Sequence, residues 1–264
     1  MTTHTHQSDQ IRYLNSELLP DELVTHAFFT RQGGVSTGAL ASLNVGLTVG
    51  DHAENVYHNR ALAFNAVGRQ PESLSDSWLV HGTDAVVYQQ PRSPAQKTPP
   101  QADIVLTDNP EVTLFMRYAD CVPIVLVDPV RRAIALVHAG WQGTIKKAAQ
   151  AGVSQLTENY SSRPQDVLAV IGPSIGPENY EVGPEVITGV KRAFGDVADQ
   201  LLPAYGKSTH FDLWAANQLV LQQAGVEQID LFEICTFAHA AEWFSHRASG
   251  GKTGRFGVLL ALKD

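Results

Sequence analysis

Cys121 and His138 are the side chains whose type and placement most directly suggest chemistry in this 264-residue chain. Residues 122–127 are an apolar run that begins just after the thiol. Residues 133–137 are a second run that leads into the imidazole, with Asp128-Pro129-Val130-Arg131-Arg132 between the two. The runs read as two buried strands joined by a turn. Paired antiparallel, the start of the first strand lies beside the end of the second, so thiol and imidazole become neighbours. A soft thiolate with an imidazole suits Zn²⁺ or a copper ion, or else a nucleophile with its base. The plain alternative is a buried cysteine acting as a small hydrophobe next to a strand-end histidine. The residues after His138 favour chemistry. Gly140 and Gly143 bracket Trp141, and Thr144 opens a helical stretch, so backbone N–H groups point into the same corner.

The length suits one large domain or two small ones, with enough chain for a real core. With 19 basic against 27 acidic side chains the net charge is −8, which disfavours nucleic acid or an anionic membrane as partner. Any phosphate site must therefore be local. The apolar runs are too short to cross a bilayer. No basic segment followed by an apolar one opens the chain, so no signal peptide is expected. Two cysteines, Cys121 and Cys235, are too few for a disulfide scaffold, and reduced thiols fit a cytoplasmic setting. Residues 1–10 are polar and expected as a disordered tail, with residues 11–264 forming a single domain.

The elements that must hold the two residues are set by periodicity and punctuation. Residues 24–30 read as a strand ending at Arg31-Gln32-Gly33-Gly34, where the glycine pair permits close backbone approach beside a guanidinium. Asp51-His52-Ala53-Glu54 has the spacing of a capping box, with Tyr57, Ala61 and Phe64 on one helical face and Gly68 closing the helix. Residues 77–80 and 85–89 read as a hairpin turning through His81-Gly82-Thr83-Asp84, and residues 91–100 as a Pro-rich surface loop. Further strands are expected at 102–107, 113–118, 167–171, 229–234 and 256–262. Helices are expected at 144–160, between Pro184 and Gly195, and from Asp212 to Gly225. Strands outnumber helices and come in runs, which indicates α+β: a single domain with mixed β-sheets flanked by helices.

Several motifs fail on inspection. Gly251-Lys252-Thr253 imitates the end of a P-loop, but His246 stands where the motif needs glycine and a strand comes next instead of a helix. The zinc-deaminase signature is absent, since no C-x-x-C exists. No G-x-S-x-G elbow is present. A multicopper oxidase site needs many clustered histidines, and the only H-x-H pair is His4-Thr5-His6 in the expected tail.

The ordered chain resembles the YfiH family, also called the laccase-domain or polyphenol-oxidase family and the peptidoglycan editing factor, which includes purine nucleoside phosphorylases. The resemblance rests on Thr30-Arg31-Gln32-Gly33-Gly34-Val35-Ser36, Leu43-Asn44-Val45-Gly46, Val80-His81-Gly82, Ala119-Asp120-Cys121-Val122-Pro123 and His138-Ala139-Gly140-Trp141-Gln142-Gly143-Thr144. It continues in the family's order with Ile171-Gly172-Pro173-Ser174-Ile175-Gly176, Cys235-Thr236, Phe244-Ser245-His246-Arg247 and Thr253-Gly254-Arg255. Thr48 and His246 depart from residues common in relatives, and neither falls on an expected metal ligand.

The resemblance implies a metal, usually Zn²⁺ with Cu²⁺ as the alternative, held by His81, Cys121 and His138, which are also the expected catalytic residues. It implies phosphorolysis of adenosine, inosine and methylthioadenosine, with adenosine deamination as a companion activity. Three protein ligands leave a fourth position open, as a catalytic zinc requires. Arg31, Asn44 and Arg247 are the expected substrate and phosphate contacts, since guanidinium holds phosphate bidentately. Asp120 is a base candidate or an orienting residue, and Trp141 and Phe244 are candidates for stacking on the purine. The rival readings are a copper-dependent polyphenol oxidase, a cysteine hydrolase using Cys121 and His138, and a non-catalytic cell-wall editing factor stapled by its metal. His210, His239 and His246 remain candidates for a fourth ligand. The expected partners are small purine nucleosides and phosphate. The oligomeric state is open, a monomer being the simplest form.

Overall fold

The computed structural model describes residues 3–93, 95–96 and 98–264. Met1 and Thr2 of the expected tail, and Pro94 and Lys97 of the expected Pro-rich loop, lie outside the described residues. In chain order the strands are β1 (Thr3–Ser8), β2 (Ile11–Ser16), β3 (Val24–Phe29), β4 (Leu74–Ser75), β5 (Ala85–Val87), β6 (Ile104–Thr107) and β7 (Thr113–Tyr118). They continue as β8 (Val122–Asp128), β9 (Ala133–Ala139), β10 (Leu168–Ile171), β11 (Ala204–Tyr205), β12 (Ser208–Thr209), β13 (Gln228–Leu231) and β14 (Phe256–Leu262). The α-helices are α1 (Ala53–Ala66), α2 (Trp141–Ile145), α3 (Ala148–Tyr160), α4 (Pro184–Phe194) and α5 (Leu213–Gln223).

Two six-stranded mixed sheets stack face to face, ordered β1-β2-β3-β14-β7-β4 and β13-β10-β8-β9-β6-β5. Every residue of β8 and β9 is buried because both faces of that sheet are covered, which is why the two strands read as continuous apolar runs. Val125, Val127, Ile134 and Leu136 meet Phe28, Leu114, Met116 and Val258 of the other sheet. On the opposite face Ile124, Leu126, Ala135 and Val137 pack with Val153 of α3 and Ala216 and Val220 of α5. Gly152 permits that approach, since a Cβ there would lie 2.7 Å from Val137 Cγ2. Outside the first sheet, α1 packs Ala63 and Phe64 on Phe29, Phe115 and Leu259. The result is four layers: a helix with loops, two sheets, and a helical layer.

Caps hold at two of the three helices where they were expected; at α1 the N-cap is His52 with no side-chain cap bond, and Asp51 instead accepts from Ser36 Oγ and Asn44 Nδ2. Asp212 accepts a hydrogen bond from Ala215 N at 2.9 Å, and Pro184 and Gly195 bound α4. Other expectations are corrected. Thr3–Ser8 is not a free tail but the outer strand β1, in antiparallel register with β2 from Thr3↔Ser16 to Ser8↔Ile11. The hairpin expected across residues 77–89 does not form. β4 pairs parallel with β7 in the first sheet and β5 parallel with β6 in the second, so the chain between them crosses from one sheet to the other. The helix expected at 144–160 is two helices, broken where Lys147 takes a left-handed conformation at φ 64°. On α1 the buried face is Val56, Asn59, Arg60, Ala63 and Phe64, while Tyr57 is 59% exposed. Two polar side chains turn inward there because loop carbonyls receive them: Asn59 Nδ2 donates to Asn44 O and Arg60 Nε to Val45 O.

Candidate metal centre and its cavity

The β8–β9 register sets Val122 opposite Ala139 and Pro123 opposite His138. Cys121, one residue before β8, therefore lies at the same sheet edge as His138. Gly140 is the residue that lets them close: a Cβ there would fall 2.9 Å from Cys121 Sγ and 3.1 Å from His81 Cδ2. His81 arrives from the crossing segment in a left-handed conformation, φ 59°, and its ring meets that of His138 edge-on at 5.1 Å. One ligand atom from each of His81, Cys121 and His138 lies within 4.8 Å of the other two, and this is the one group of three or more His, Cys, Asp or Glu able to hold a metal among the described residues. The donor set fits such an ion: two imidazoles and a thiol are the ligands that zinc and copper take. His210 and His239 are not part of it. His210 Nδ1 pairs with Pro177 O at 2.7 Å.

One buried carboxylate organises the group, and no motif in the sequence marks it. Asp103, fully buried just before β6, pairs through Oδ1 with His138 Nδ1 at 2.8 Å. Its Oδ2 accepts from Val80 N at 3.1 Å and Gly82 N at 2.7 Å, clamping the loop that carries His81. With Nδ1 engaged, Nε2 of His138 is the nitrogen left for the thiol side. Burial alone would raise the carboxyl of Asp103; the His138 hydrogen bond and the two N–H donors outweigh it and hold it below the usual range. Burial likewise opposes ionisation of Cys121, but the charge and hydrogen bond of His138 and those of His81 bring the thiol down to about 6. Burial also works against a charged His138, and Cys121 with Asp103 overrides it, raising the imidazole to about 9. Thiolate and imidazolium stabilise each other in the metal-free group, and a bound ion would take the place of that proton on His138 Nε2.

His81, Cys121 and His138 line one wall of a cavity of about 700 Å³. Leu47, Tyr57, Trp78 and Leu79 give it apolar surface, and Arg60, Arg92, Arg117, Arg247 and Arg255 face it with charge. A smaller cavity of about 160 Å³ is bounded by Gly140, Trp141, Gln142, Ile175 and Leu213, with His81, Asp120, Cys121 and Tyr180 common to both.

Of the expected phosphate contacts, Arg247 lines the large cavity; Arg31 and Asn44 do not. Arg31 lies over the Phe244 ring at 4.4 Å and donates to Ala41 O and Ala240 O at 2.8 and 2.9 Å, tying two loops together. The neighbouring glycines are there for packing rather than for an anion: a Cβ on Gly33 would meet Gln10 O at 2.1 Å, and one on Gly34 would meet Ser42 O at 2.3 Å. Asn44, fully buried, accepts from Gly46 N and Arg255 N at 3.0 and 2.9 Å and so positions two cavity residues without facing the cavity itself. Asp120 accepts from Thr236 Oγ1 at 2.6 Å and Arg247 N at 2.7 Å, which makes it an orienting residue for the C-terminal loop. Trp141 bounds the small cavity, whereas Phe244 is fully buried beneath Arg31. The arginines contributed by α1, β7 and the Pro-rich loop carry no local signal, since Arg60, Arg92 and Arg117 become neighbours only in the folded chain.

Fold and site together define a two-sheet cavity protein in which two strands and a loop offer a His₂Cys group to a metal. A family model described as "Multi-copper polyphenol oxidoreductase laccase" matches residues 25–263, and the chain belongs to that family, the laccase-like YfiH family. A Bacteroides thetaiotaomicron protein named "Purine nucleoside phosphorylase" is 34% identical over 247 residues, covering 90% of this chain and 92% of its own. One of the same name from Deinococcus radiodurans is 35% identical over 243 residues, covering 92% and 91%. Among solved structures, YlmD from Geobacillus stearothermophilus superposes with a TM-score of 0.92 at 30% identity over 100% of both chains. The hypothetical protein YfiH of Bacillus licheniformis gives 0.87 at 31% identity, covering 91% and 93%. No helix among the described residues is long and apolar enough to cross a membrane.

Proposed function

We propose that the chain is a purine nucleoside phosphorylase acting on adenosine, inosine and methylthioadenosine, with adenosine deamination at the same site. The observation that carries this reading is one cavity holding both the His₂Cys group and an excess of guanidinium over carboxylate. Relatives named purine nucleoside phosphorylase over nine-tenths of the chain support it. His81, Cys121 and His138 would hold Zn²⁺, or Cu²⁺ in its place, and the ion supplies Lewis acidity there.

The chain's own residues account for the rest. Arg247 and Arg255 line the cavity and offer donors to orient a phosphate for attack on the anomeric carbon. Tyr180 lines both cavities; burial, with Cys121 adding to it, pushes its phenol well above its ordinary value, so it stays protonated and can donate to the departing purine. Tyr57 and Trp78 add aromatic surface to the cavity lining, on which a base can pack.

The test is turnover of inosine and adenosine with and without phosphate. Free base released only with phosphate bears the reading out; base released without it would make the enzyme a hydrolase. Arg247→Gln should raise the KM for phosphate and leave adenosine deamination running, because only phosphorolysis uses that anion. Phenol oxidation should be negligible with the zinc-loaded chain and weak after copper loading, since a single His₂Cys group lacks the further cluster that oxygen reduction needs.

A further inference from the structure

In the lining of the same cavity, three arginines converge on one carboxylate. Asp76, 1% exposed, meets Arg92 Nε at 2.9 Å, Arg117 Nη1 at 2.8 Å and Arg60 Nη1 at 3.5 Å. One negative charge against three positive ones leaves the cluster strongly cationic, and all four residues line the cavity. Arg60 is only 5% exposed, and its Nη2 is buried with no hydrogen-bond partner. Burial, together with Arg117, draws Arg60 down to about 10, which still leaves it charged at neutral pH. A buried guanidinium that shares one carboxylate with two others and keeps an unpartnered nitrogen is costly unless an anion completes the cluster. Guanidinium groups held by other bonds present fixed forks that match a phosphoryl dianion. The remaining bonds of this cluster hold it rigid: Arg60 Nε donates to Val45 O at 3.1 Å and Arg117 Nη2 to Ser77 O at 2.5 Å.

This cluster is a separate feature from Arg247, whose backbone N–H is bound by Asp120 and whose Nη1 donates to Glu181 O at 2.9 Å. The same cavity holds the His₂Cys group and this cluster, so one ligand can meet both. We propose that the Asp76–Arg60–Arg92–Arg117 cluster is a subsite for a phosphoryl group carried on the nucleoside, so that the cavity binds purine nucleoside 5′-monophosphates as well as free nucleosides. The proposal rests on the nucleoside reading of the site.

The experiment is calorimetric titration of the full metal-loaded chain with inosine and with inosine 5′-monophosphate in phosphate-free buffer, for the wild type, Arg92→Gln and Arg117→Gln. The nucleotide should bind at least tenfold more tightly than the nucleoside to the wild type, and that ratio should fall towards one in both variants and at high salt. A wild-type ratio near one would overturn the proposal. So would an unchanged ratio in variants that melt at a lower temperature, the mark of a structural staple only. Inorganic phosphate distinguishes the other source of the same chemistry: a raised phosphate KM in the variants with the nucleotide ratio intact assigns the cluster to the co-substrate and also overturns the proposal. Should Arg117→Gln fail to fold, Arg92→Gln and the salt dependence of the wild type still decide. If the ratio behaves as expected while inosine is bound but never cleaved, the phosphorylase reading falls and the subsite stands.

Discussion

The His₂Cys group and the arginine cluster of one cavity each lean on a buried aspartate, Asp103 and Asp76, and the same side chain does opposite things in them. Asp103 faces one imidazole and two backbone N–H groups, so its charge is spent on direction: it fixes which nitrogen His138 presents and where the His81 loop lies. Asp76 faces three guanidiniums and is outnumbered, so it gathers positive charge without cancelling it. The first arrangement suits a metal, whose ligands must be aimed. The second suits an anion, whose binding needs density of charge more than angle. Burial alone says nothing about role; the partners of the carboxylate do.

The sharpest break in that comparison is Cys121→Ala, which should abolish metal retention and activity together, read by metal analysis after dialysis. Activity lost with metal fully kept would make Cys121 a nucleophile. Next in size is Asp76→Ala, which leaves three guanidiniums without their carboxylate and should cost about 3–5 kcal/mol in urea unfolding. A change below about 1 kcal/mol would mean that the arginines already find other partners.

A buried group outside the cavity lining separates fold from site. His26 is 4% exposed, accepts from Ser16 N at 2.8 Å and is lowered to about 4, chiefly by burial. A histidine kept neutral by folding contributes stability that is complete above its unfolded value near 6.5 and is lost as pH falls towards 4. The loss should reach about 3 kcal/mol and be flattened in His26→Gln, read from urea midpoints across pH 7 to 4. The smallest effect is expected for Asp103→Asn. It keeps shape and loses charge, so metal affinity should fall about tenfold in chelator competition with little change in melting temperature. A drop in stability as large as that of Asp76→Ala would erase the distinction between the two aspartates.

How much of this the sequence discloses depends on the range of the interaction concerned. β8, β9 and their register were legible, because two apolar runs around an Asp-Pro turn leave one way to pair, and that register joins Cys121 to His138. Caps were legible at Asp212, Pro184 and Gly195 because they act within a few residues. The segment from 77 to 89 was not, since its two short strands belong to different sheets and local alternation cannot report that. Arg31 drew attention through its glycines, yet those glycines make room for Gln10 and Ser42 carbonyls and the guanidinium binds loop carbonyls. Arg60, Arg92, Arg117 and Asp76 come from a helix, a loop, a strand and a crossing segment. Nothing local marks them as a set. Asp103 was within reach: an acidic residue at the threshold of a fully buried strand needs a partner, and His138 was the partner available.

The position of β14 has a consequence for how the protein is made. It lies between β3 and β7, pairing with both, from Phe256↔Tyr118 to Leu262↔Val24. Strands synthesised early thus wait for one synthesised more than a hundred residues later, and until it arrives two inner edges of the sheet stand open with their amides unpaired. Tyr118, which lies against the His138 ring at 5.5 Å, is anchored by that late strand. A nascent chain stalled before Phe256 therefore carries His81, Cys121 and His138 without the strand that closes the first sheet behind them. It is a target for chaperones or for strand-by-strand association with its own kind, and the ribosome must release nearly the whole chain before the cavity can exist.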